Sequence, residues 1–266
     1  MSSLSIALHD SSTMTRRSLR RIIRYPSMTV ILVGMPVVLL LMFVFVFGQT
    51  LGAGIGFGAA GREAYADYIT PGILLITVAS AAQGTAISVA LDMAAGLIAR
   101  FRIMPITRSS VLTGHAVSSF LQTMGSLLVV LLVAVLVGFR PTTGALGWMG
   151  AIGVLALFTV ALTWLSVALG LFAKTPESAS NIPMFLVLLP FLSSGFVPTA
   201  SLPTALRWFA EYEPFTPTIE TLRGLLLGTP AAHDAVLAVA WSLVIAAASF
   251  LWARRLFERR PTRSTG

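Results

Sequence analysis

Long runs of apolar residues, separated by short polar segments, dominate this chain. A helix needs about 20 apolar residues to cross a hydrocarbon core about 30 Å thick, because backbone groups cannot stay unpaired in lipid. The pattern predicts an all-α, polytopic fold with six transmembrane helices, in a single domain over residues 1–266. The predicted helices span residues 28–47, 69–91, 111–137, 146–173, 181–197 and 235–253.

The second and fifth runs are less uniform than the others. Gln83 and several hydroxyl residues interrupt the second, and Pro183 and Pro190 interrupt the fifth. Polar groups and helix breakers at membrane depth are tolerated where they face protein or water. We therefore expect these two segments to face a pathway or a partner rather than lipid.

The composition agrees with a membrane protein and changes how the charge is interpreted. Hydrophobic residues make up 56% of the chain and charged residues 11%, whereas soluble domains are about a quarter charged. A net charge of +8 would suggest nucleic-acid binding in a soluble protein. Here the arginines flank the apolar runs, which favours contact with membrane lipids and excludes nucleic acid as the expected partner.

The distribution of arginine predicts the orientation. With six helices, the two densest arginine clusters, at residues 16–24 and 254–263, fall on the same side of the membrane. The excess of positive charge on that side predicts that both termini are cytoplasmic, with a cytoplasmic tail over 254–266. Lys174 is the only lysine, and this preference for arginine indicates a bacterium.

Two segments outside the apolar runs are amphipathic. Residues 14–25, within a cytoplasmic segment 1–26, predict an N-terminal elbow helix on the membrane surface, or a plain positively charged anchor. Residues 92–108 predict a short helix that ends at Pro105, with Met93, Leu97, Phe101 and Met104 in one apolar stripe. This helix either docks into a groove on a partner protein or lies on lipid headgroups.

The segment between the fifth and sixth runs predicts a broken, re-entrant hairpin. Its first helix is expected near residues 203–212 with Ser201 as its cap. Its second is expected to start at Thr216-Pro217 and to end at Gly228. The second helix should bury Ile219, Leu222 and Leu226 and pair Glu220 with Arg223. We expect the hairpin to dip into the outer leaflet, either as a substrate exit gate or as a structural plug or dimer lid.

Several kinds of chemistry have no support in the sequence. There is no cysteine, and Lys174 follows Ala173 rather than the glycine of a phosphate-binding loop. His9, His115 and His233 are scattered, so we predict no metal site. Glu211 and Glu213 would point in different directions on a helix, which disfavours acid–base catalysis. No carboxylate lies at the centre of a predicted helix, so we expect the energy for any transport to come from elsewhere.

The order of these segments resembles the permease subunit of an ABC-type exporter. The resemblance is to the type-2 permease (ABC-2 type transporter) family, in its daunorubicin-resistance, drug-export branch. It is carried first by Asp92, Gly96, Arg100, Phe101, Arg102, Pro105, Arg108 and Gly114. It is carried again by Leu206, Phe209, Ala210, Pro214, Thr216, Pro217, Leu222, Arg223, Leu225 and Gly228.

The resemblance implies a function and partners. In that family the permease is not an enzyme and has no ATP site; a separate ATPase subunit binds ATP and Mg and docks on the first cytoplasmic loop. Residues 92–108 would then be the coupling helix, with Asp92, Gly96, Arg100, Phe101, Arg102, Pro105 and Arg108 as coupling residues. Two permeases, identical or paralogous, and two ATPases would export an amphipathic, drug-like substrate across the bacterial plasma membrane by alternating access.

Further residues are predicted around the substrate. Polar groups of the cavity, or of the seam between two permeases, would be Ser80, Gln83, Gln122, Ser193 and Ser194, although hydroxyls in membrane helices more often join helices to one another. The gate would contain Pro214, Thr216, Pro217, Glu220 and Arg223. Alternatives are an ion-gradient-driven secondary transporter, a permease for lipid or polysaccharide export, and, less favoured, a membrane enzyme or anchor.

Overall fold

A computed structural model describes residues 26–50, 61–95, 108–229 and 231–259. The predicted elbow at 14–25 and most of the 92–108 segment lie outside these residues. Throughout the described part, the regular secondary structure is helical. The all-α prediction is therefore confirmed.

Nine α-helices follow one another in the described residues. The first part of the chain forms α1 (Pro26–Leu41), extended by a π-helical turn (Met42–Phe47), α2 (Gly61–Ala94), α3 (Arg108–Val137) and α4 (Ala145–Phe172). The second part forms α5 (Pro176–Asn181), α6 (Met184–Leu188), α7 (Thr204–Tyr212), α8 (Phe215–Leu227) and α9 (Ala232–Arg259).

Five helices are long and apolar enough to cross a membrane. They cover Leu32–Thr50, Gly61–Ala94, Leu112–Val137, Ala145–Phe172 and Ala232–Phe257. These correspond to the first, second, third, fourth and sixth predicted helices. The chain is therefore a multi-pass membrane protein.

The fifth predicted helix, over 181–197, is not one continuous helix. Proline lacks the backbone N–H that an α-helix interior needs. Accordingly, α5 ends just before Pro183, and α6 gives way to a 3-10 turn (Leu189–Phe191) that contains Pro190. Turns and a bend follow from residue 192. We call residues 189–197 the broken segment; six continuous spanning helices are not confirmed.

Helix α2 occupies the centre of the bundle. Within its apolar stretch 72% of the residues are buried, the largest share among the five long helices, and it packs against α1, α3, α4, α5 and α8. Thr70, Thr77 and Thr85 donate their hydroxyl hydrogens to carbonyls one turn earlier in the same helix. These bonds remove the cost of burying the hydroxyls. This run therefore packs against the rest of the chain; its contact with a pathway or a partner stays a prediction.

The hairpin of α7 and α8 agrees with the predicted helices except at their beginnings. The apolar face of α8 is buried as predicted, at Ile219, Leu222 and Leu226, and its C-cap is Gly228 with φ 78°. The two predicted N-caps, Ser201 and Thr216, are wrong, because Pro203 and Pro214 hold the N-cap positions. Ser201 lies in a separate 3-10 turn, and Thr216 lies inside α8.

Candidate functional site: a polar junction at the broken segment

Four residues from three parts of the chain form a polar cluster, which we call the Arg223 junction: Tyr68 of α2, Ser194 of the broken segment, and Thr216 and Arg223 of α8. The Tyr68 hydroxyl donates to the Ser194 carbonyl (3.0 Å), and the Ser194 N–H donates to Thr216 Oγ1 (3.1 Å). Both backbone groups of Ser194 are thus paired outside any helix. Since buried backbone groups outside a helix need partners from elsewhere in the protein, these bonds make the break tolerable.

The guanidinium of Arg223 connects all three parts. Its Nη2 donates to the carbonyls of Tyr68 (3.0 Å) and Ser194 (2.9 Å). Its Nη1 donates to Glu220 Oε1 (2.5 Å), which confirms the predicted pair within α8. Its Cζ also lies 3.9 Å from the centroid of the Tyr68 ring. A planar, always charged group suits this combination of a fork of donors with a stacked face.

Glu213 closes the junction from the start of α8. It is 5% exposed, and its carboxylate accepts the N–H groups of Phe215 (2.9 Å) and Thr216 (2.6 Å). These are among the N–H groups that a helix start leaves without helical partners, and a negative charge there is favourable. Burial raises the pKa of Glu213 to about 7, although the two backbone N–H groups lower it. Glu213 therefore caps α8.

The raised pKa predicts a dependence of stability on pH. Unfolded, this carboxyl releases its proton near its ordinary 4.5, whereas folded it retains the proton to about 7. The contribution of Glu213 to the free energy of unfolding is therefore fully present below pH 4.5. It falls by roughly 3 kcal/mol as the pH rises through 7. We expect Glu213→Gln, a neutral side chain of similar shape, to lose this fall, as measured by thermal unfolding in detergent from pH 4.5 to 8.

Glu211→Gln is the matched control. Glu211 lies two residues away, but its side chain is partly exposed and pairs with Arg207 at 2.7 Å. The Glu211 variant should keep the fall in stability that Glu213 produces. If the stability of the wild type and of the Glu213 variant changed with pH in parallel, Glu213 would not be the source of the fall.

Two glycines let the broken segment touch the backbone of α2 beside the junction. A Cβ atom built on Gly72 would lie 2.8 Å from both the Cα and the carbonyl oxygen of Gly195. Such distances leave no room for any side chain at Gly72. Gly72 was missed from the sequence, where an isolated glycine within an apolar helical run is the available signal for such close packing.

Only the ends of the predicted coupling segment are described. Asp92 lies in the last turn of α2, and its Oδ2 is 3.1 Å from Nε2 of His115 in α3. Arg108 is the first residue of α3. Gly96, Arg100, Phe101, Arg102 and Pro105 lie outside the described residues, so their role stays a prediction. In the sequence His115 is one of three scattered histidines, whereas in the structure it joins the two helices that flank this segment.

The predicted cavity residues have separate roles. Gln83 Nε2 donates to the Ser180 carbonyl (2.9 Å), and Ser193 Oγ donates to the Pro190 carbonyl (2.6 Å). Ser80 and Gln122 are half-buried on α2 and α3. In the part of the chain that is described, no hydrogen bond links Ser80, Gln83 or Gln122 to the turn that contains Ser193 and Ser194. Of this set, only Ser194 belongs to the Arg223 junction.

The predicted gate residues all lie in or next to α8. Thr216 and Arg223 belong to the junction, and Glu220 pairs with Arg223. Pro214 is the N-cap of α8 and Pro217 lies in its first turn, and a gating role for these residues stays a prediction. Tyr68 and Glu213 were missed from the sequence. Within the described ranges, no group of three His, Asp or Glu side chains could hold a metal ion. The hydrogen bonds of the junction join side chains to backbone groups across α2, the broken segment and α8. The junction can therefore hold these three elements together.

Comparisons with known proteins agree with this architecture. The family model for the ABC-2 type transporter matches residues 10–227. The daunorubicin resistance ABC transporter permease protein DrrB1 of Streptomyces coeruleorubidus is 29% identical over 254 residues, which is 94% of this chain and 87% of that protein. The probable doxorubicin resistance ABC transporter permease protein DrrC of Mycobacterium tuberculosis is 24% identical over 174 residues, 65% of this chain and 63% of that protein. This multi-pass chain belongs to the ABC-2 type transporter family, the membrane subunits that work with ABC ATPase subunits.

Proposed function

We propose that this chain is the permease subunit of an ATP-driven exporter that moves amphipathic, drug-like molecules out of a bacterial cell. One observation carries the proposal: similarity to a permease named for daunorubicin resistance extends over 94% of this chain. Apolar walls with a few polar groups suit such substrates. Ser80, Gln83, Gln122, Ser193 and Ser194 remain the candidates for those polar groups or for a seam with a second permease.

The energy would come from the ATPase subunit. The sequence contains one lysine, Lys174, in a context that lacks the glycine of a phosphate-binding loop. In our proposal two ATPase chains bind ATP and Mg, and two permease copies, identical or paralogous, form the membrane part. Residues 92–108 receive the motion of the ATPase, with Gly96, Arg100, Phe101, Arg102 and Pro105 among the contacts.

The topology in this proposal follows the arginine clusters. Both termini are cytoplasmic, the arginine-rich elbow rests on the inner leaflet, and lipids surround the bundle. The segment 176–197, which lies fifth along the chain, crosses the membrane as a discontinuous element. With the five long helices it makes six crossings, an even number. The hairpin of α7 and α8 then enters the outer leaflet from outside, and the Arg223 junction lies at the outer end of the pathway.

Helix α2 links the coupling segment to the Arg223 junction. It runs without interruption for 34 residues, about 50 Å at 1.5 Å per residue. Asp92 stands at the end that leads into the coupling segment, and Tyr68 and Gly72 stand near the other end. A packed helix moves as a unit between discrete arrangements, so a push on the coupling segment would shift the junction. This link supports alternating access.

The docking segment can be tested by reversing its charge. We expect Phe101→Asp and Arg102→Glu to abolish co-purification with the ATPase and ATP-dependent export, because an acidic group disrupts an apolar and cationic contact. Arg255→Glu makes the same charge change at an exposed arginine of α9 on the same proposed side and should leave the complex intact. Normal binding and ATPase coupling in both loop variants would contradict the proposal.

Transport in proteoliposomes distinguishes the remaining functions. We expect outward movement of a daunorubicin-like dye only with the ATPase and ATP. Uphill transport with an ion gradient and no ATP would establish a secondary transporter instead. ATP-dependent export of a lipid or lipid-linked saccharide, with no dye transport, would keep the permease role and replace the substrate class.

A further inference from the structure

The Arg223 junction carries a charge that is neutralised within one helix. Glu220 and Arg223 are both on α8, three residues apart, so their ion pair moves with that helix. The bonds that Arg223 makes to α2 and to the broken segment go to the uncharged carbonyls of Tyr68 and Ser194. Separating α8 from these elements therefore breaks hydrogen bonds without separating opposite charges. That separation avoids the penalty of leaving a buried charge unpaired.

The junction also leaves polar atoms unsatisfied. Arg223 Nε and Ser194 Oγ are buried and have no hydrogen-bond partner among the residues that the structure describes. Buried polar groups in folded proteins are nearly always paired, so such exceptions call for an explanation. An arrangement that is compact but incompletely bonded suits a contact that alternates between two states.

We propose that Arg223 is the positioning residue of a latch that holds the broken segment closed against α2 and releases it when α8 moves. The Ser194 carbonyl accepts from Arg223 Nη2 and from the Tyr68 hydroxyl. Arg223 also donates to the Tyr68 carbonyl and stacks on the Tyr68 ring, which ties the broken segment to α2. The Gly72–Gly195 contact, with no room for a side chain, lets the closed interface exclude water. The consequence for export rests on the proposed function, whereas opening and closing of the latch can be measured independently of transport.

The absence of cysteine allows a direct test. Ser194→Cys replaces a 2% exposed side chain whose hydroxyl has no partner in the described structure, so the change itself disturbs little. We expect this thiol to react slowly with a small maleimide in the purified full-length protein. Adding Arg223→Met should accelerate labelling roughly tenfold or more, because each lost charge-assisted hydrogen bond raises the open population by about that factor.

Ser126→Cys reports general unfolding. Ser126 is 3% exposed on α3, and its hydroxyl bonds the Gln122 carbonyl of its own helix (3.0 Å). With Arg223→Met this second thiol should stay protected. If both thiols become reactive, Arg223→Lys decides, because it keeps the charge and loses the planar fork. Intermediate labelling at position 194 with position 126 protected supports the latch; wild-type labelling at 194 overturns it.

A second readout separates the latch from the proposed function. In the complex with the ATPase, we expect nucleotide to raise labelling at position 194 in the wild-type background. Arg223→Lys should change the maximal rate of export while leaving the substrate KM near its wild-type value. Labelling that depends on Arg223, together with no ATP-driven export, would keep the latch and remove the exporter. ATP-driven export with labelling that is insensitive to Arg223 would remove the latch alone.

Discussion

Replacing Gly72 by alanine is expected to destabilise the protein more than a methyl group added on the exposed face of the same helix. The new Cβ would lie 2.8 Å from backbone atoms of Gly195, which can move only if the broken segment moves. Overpacking of this kind costs roughly 1–3 kcal/mol or more. Thermal unfolding in detergent should therefore shift down by several degrees.

Gly84→Ala is the matched control for this prediction. Gly84 is on the same helix and exposed, and a Cβ there meets no described atom within 4 Å outside its own helical neighbourhood. Alanine is the better helix former by about 1 kcal/mol, so this variant should be neutral or slightly stabilised. Equal losses for the two variants would show that the close contact with Gly195 contributes nothing.

Replacing His115 by alanine is expected to loosen the two helices that flank the coupling segment. Its Nε2 lies 3.1 Å from Asp92 Oδ2, and the two side chains are only 15% and 13% exposed. Removing one member of a largely buried polar pair costs about 1–3 kcal/mol, because the other is left without that partner. The loss should be visible in the free energy of unfolding and in the ATPase activity that the proposed complex couples to export.

A double-mutant cycle isolates the pair. Asp92→Asn combined with His115→Ala should cost less than the two single changes together, because the second change removes a contact already lost. His233→Ala alters an exposed histidine at the start of α9 and should stay within about 0.5 kcal/mol of the wild type. Strictly additive losses at 92 and 115 would show that the two side chains do not stabilise each other.

The predicted helices agree best with the structure where the apolar run and the helix begin and end at nearly the same residues. Residues 111–137 and 146–173 differ from α3 and α4 by no more than three residues at either end. Helix α2 begins at Gly61, earlier than predicted. Hydropathy missed its first turns because they carry the charged residues Arg62, Glu63 and Asp67. Hydropathy measures which residues suit lipid, whereas a helix continues as long as its backbone bonds and buried side chains such as Tyr65 support it.

In the candidate site, too, the sequence predicted a contact between residues close in sequence and missed the contacts between distant ones. The Glu220–Arg223 pair is local, so its spacing along one helix was sufficient to predict it. Tyr68 contacts Ser194 across 126 residues of sequence and Arg223 across 155, and no local pattern encodes such distances. Glu213 was dismissed as a helical neighbour of Glu211, but α7 ends at Tyr212. The turn after it directs the Glu213 carboxylate to the start of α8.

Composition and local pattern were sufficient to predict the membrane environment, the all-helical fold, the positions of the long helices and the points where proline interrupts the fifth run. These properties depend on composition and on neighbours a few residues away, which act in any context. Which elements the interrupted segment contacts depends on how distant parts of the chain pack together. Packing brought Gly72 to Gly195 and Arg223 to two backbone carbonyls, because satisfying non-helical backbone away from water requires donors from distant parts of the chain.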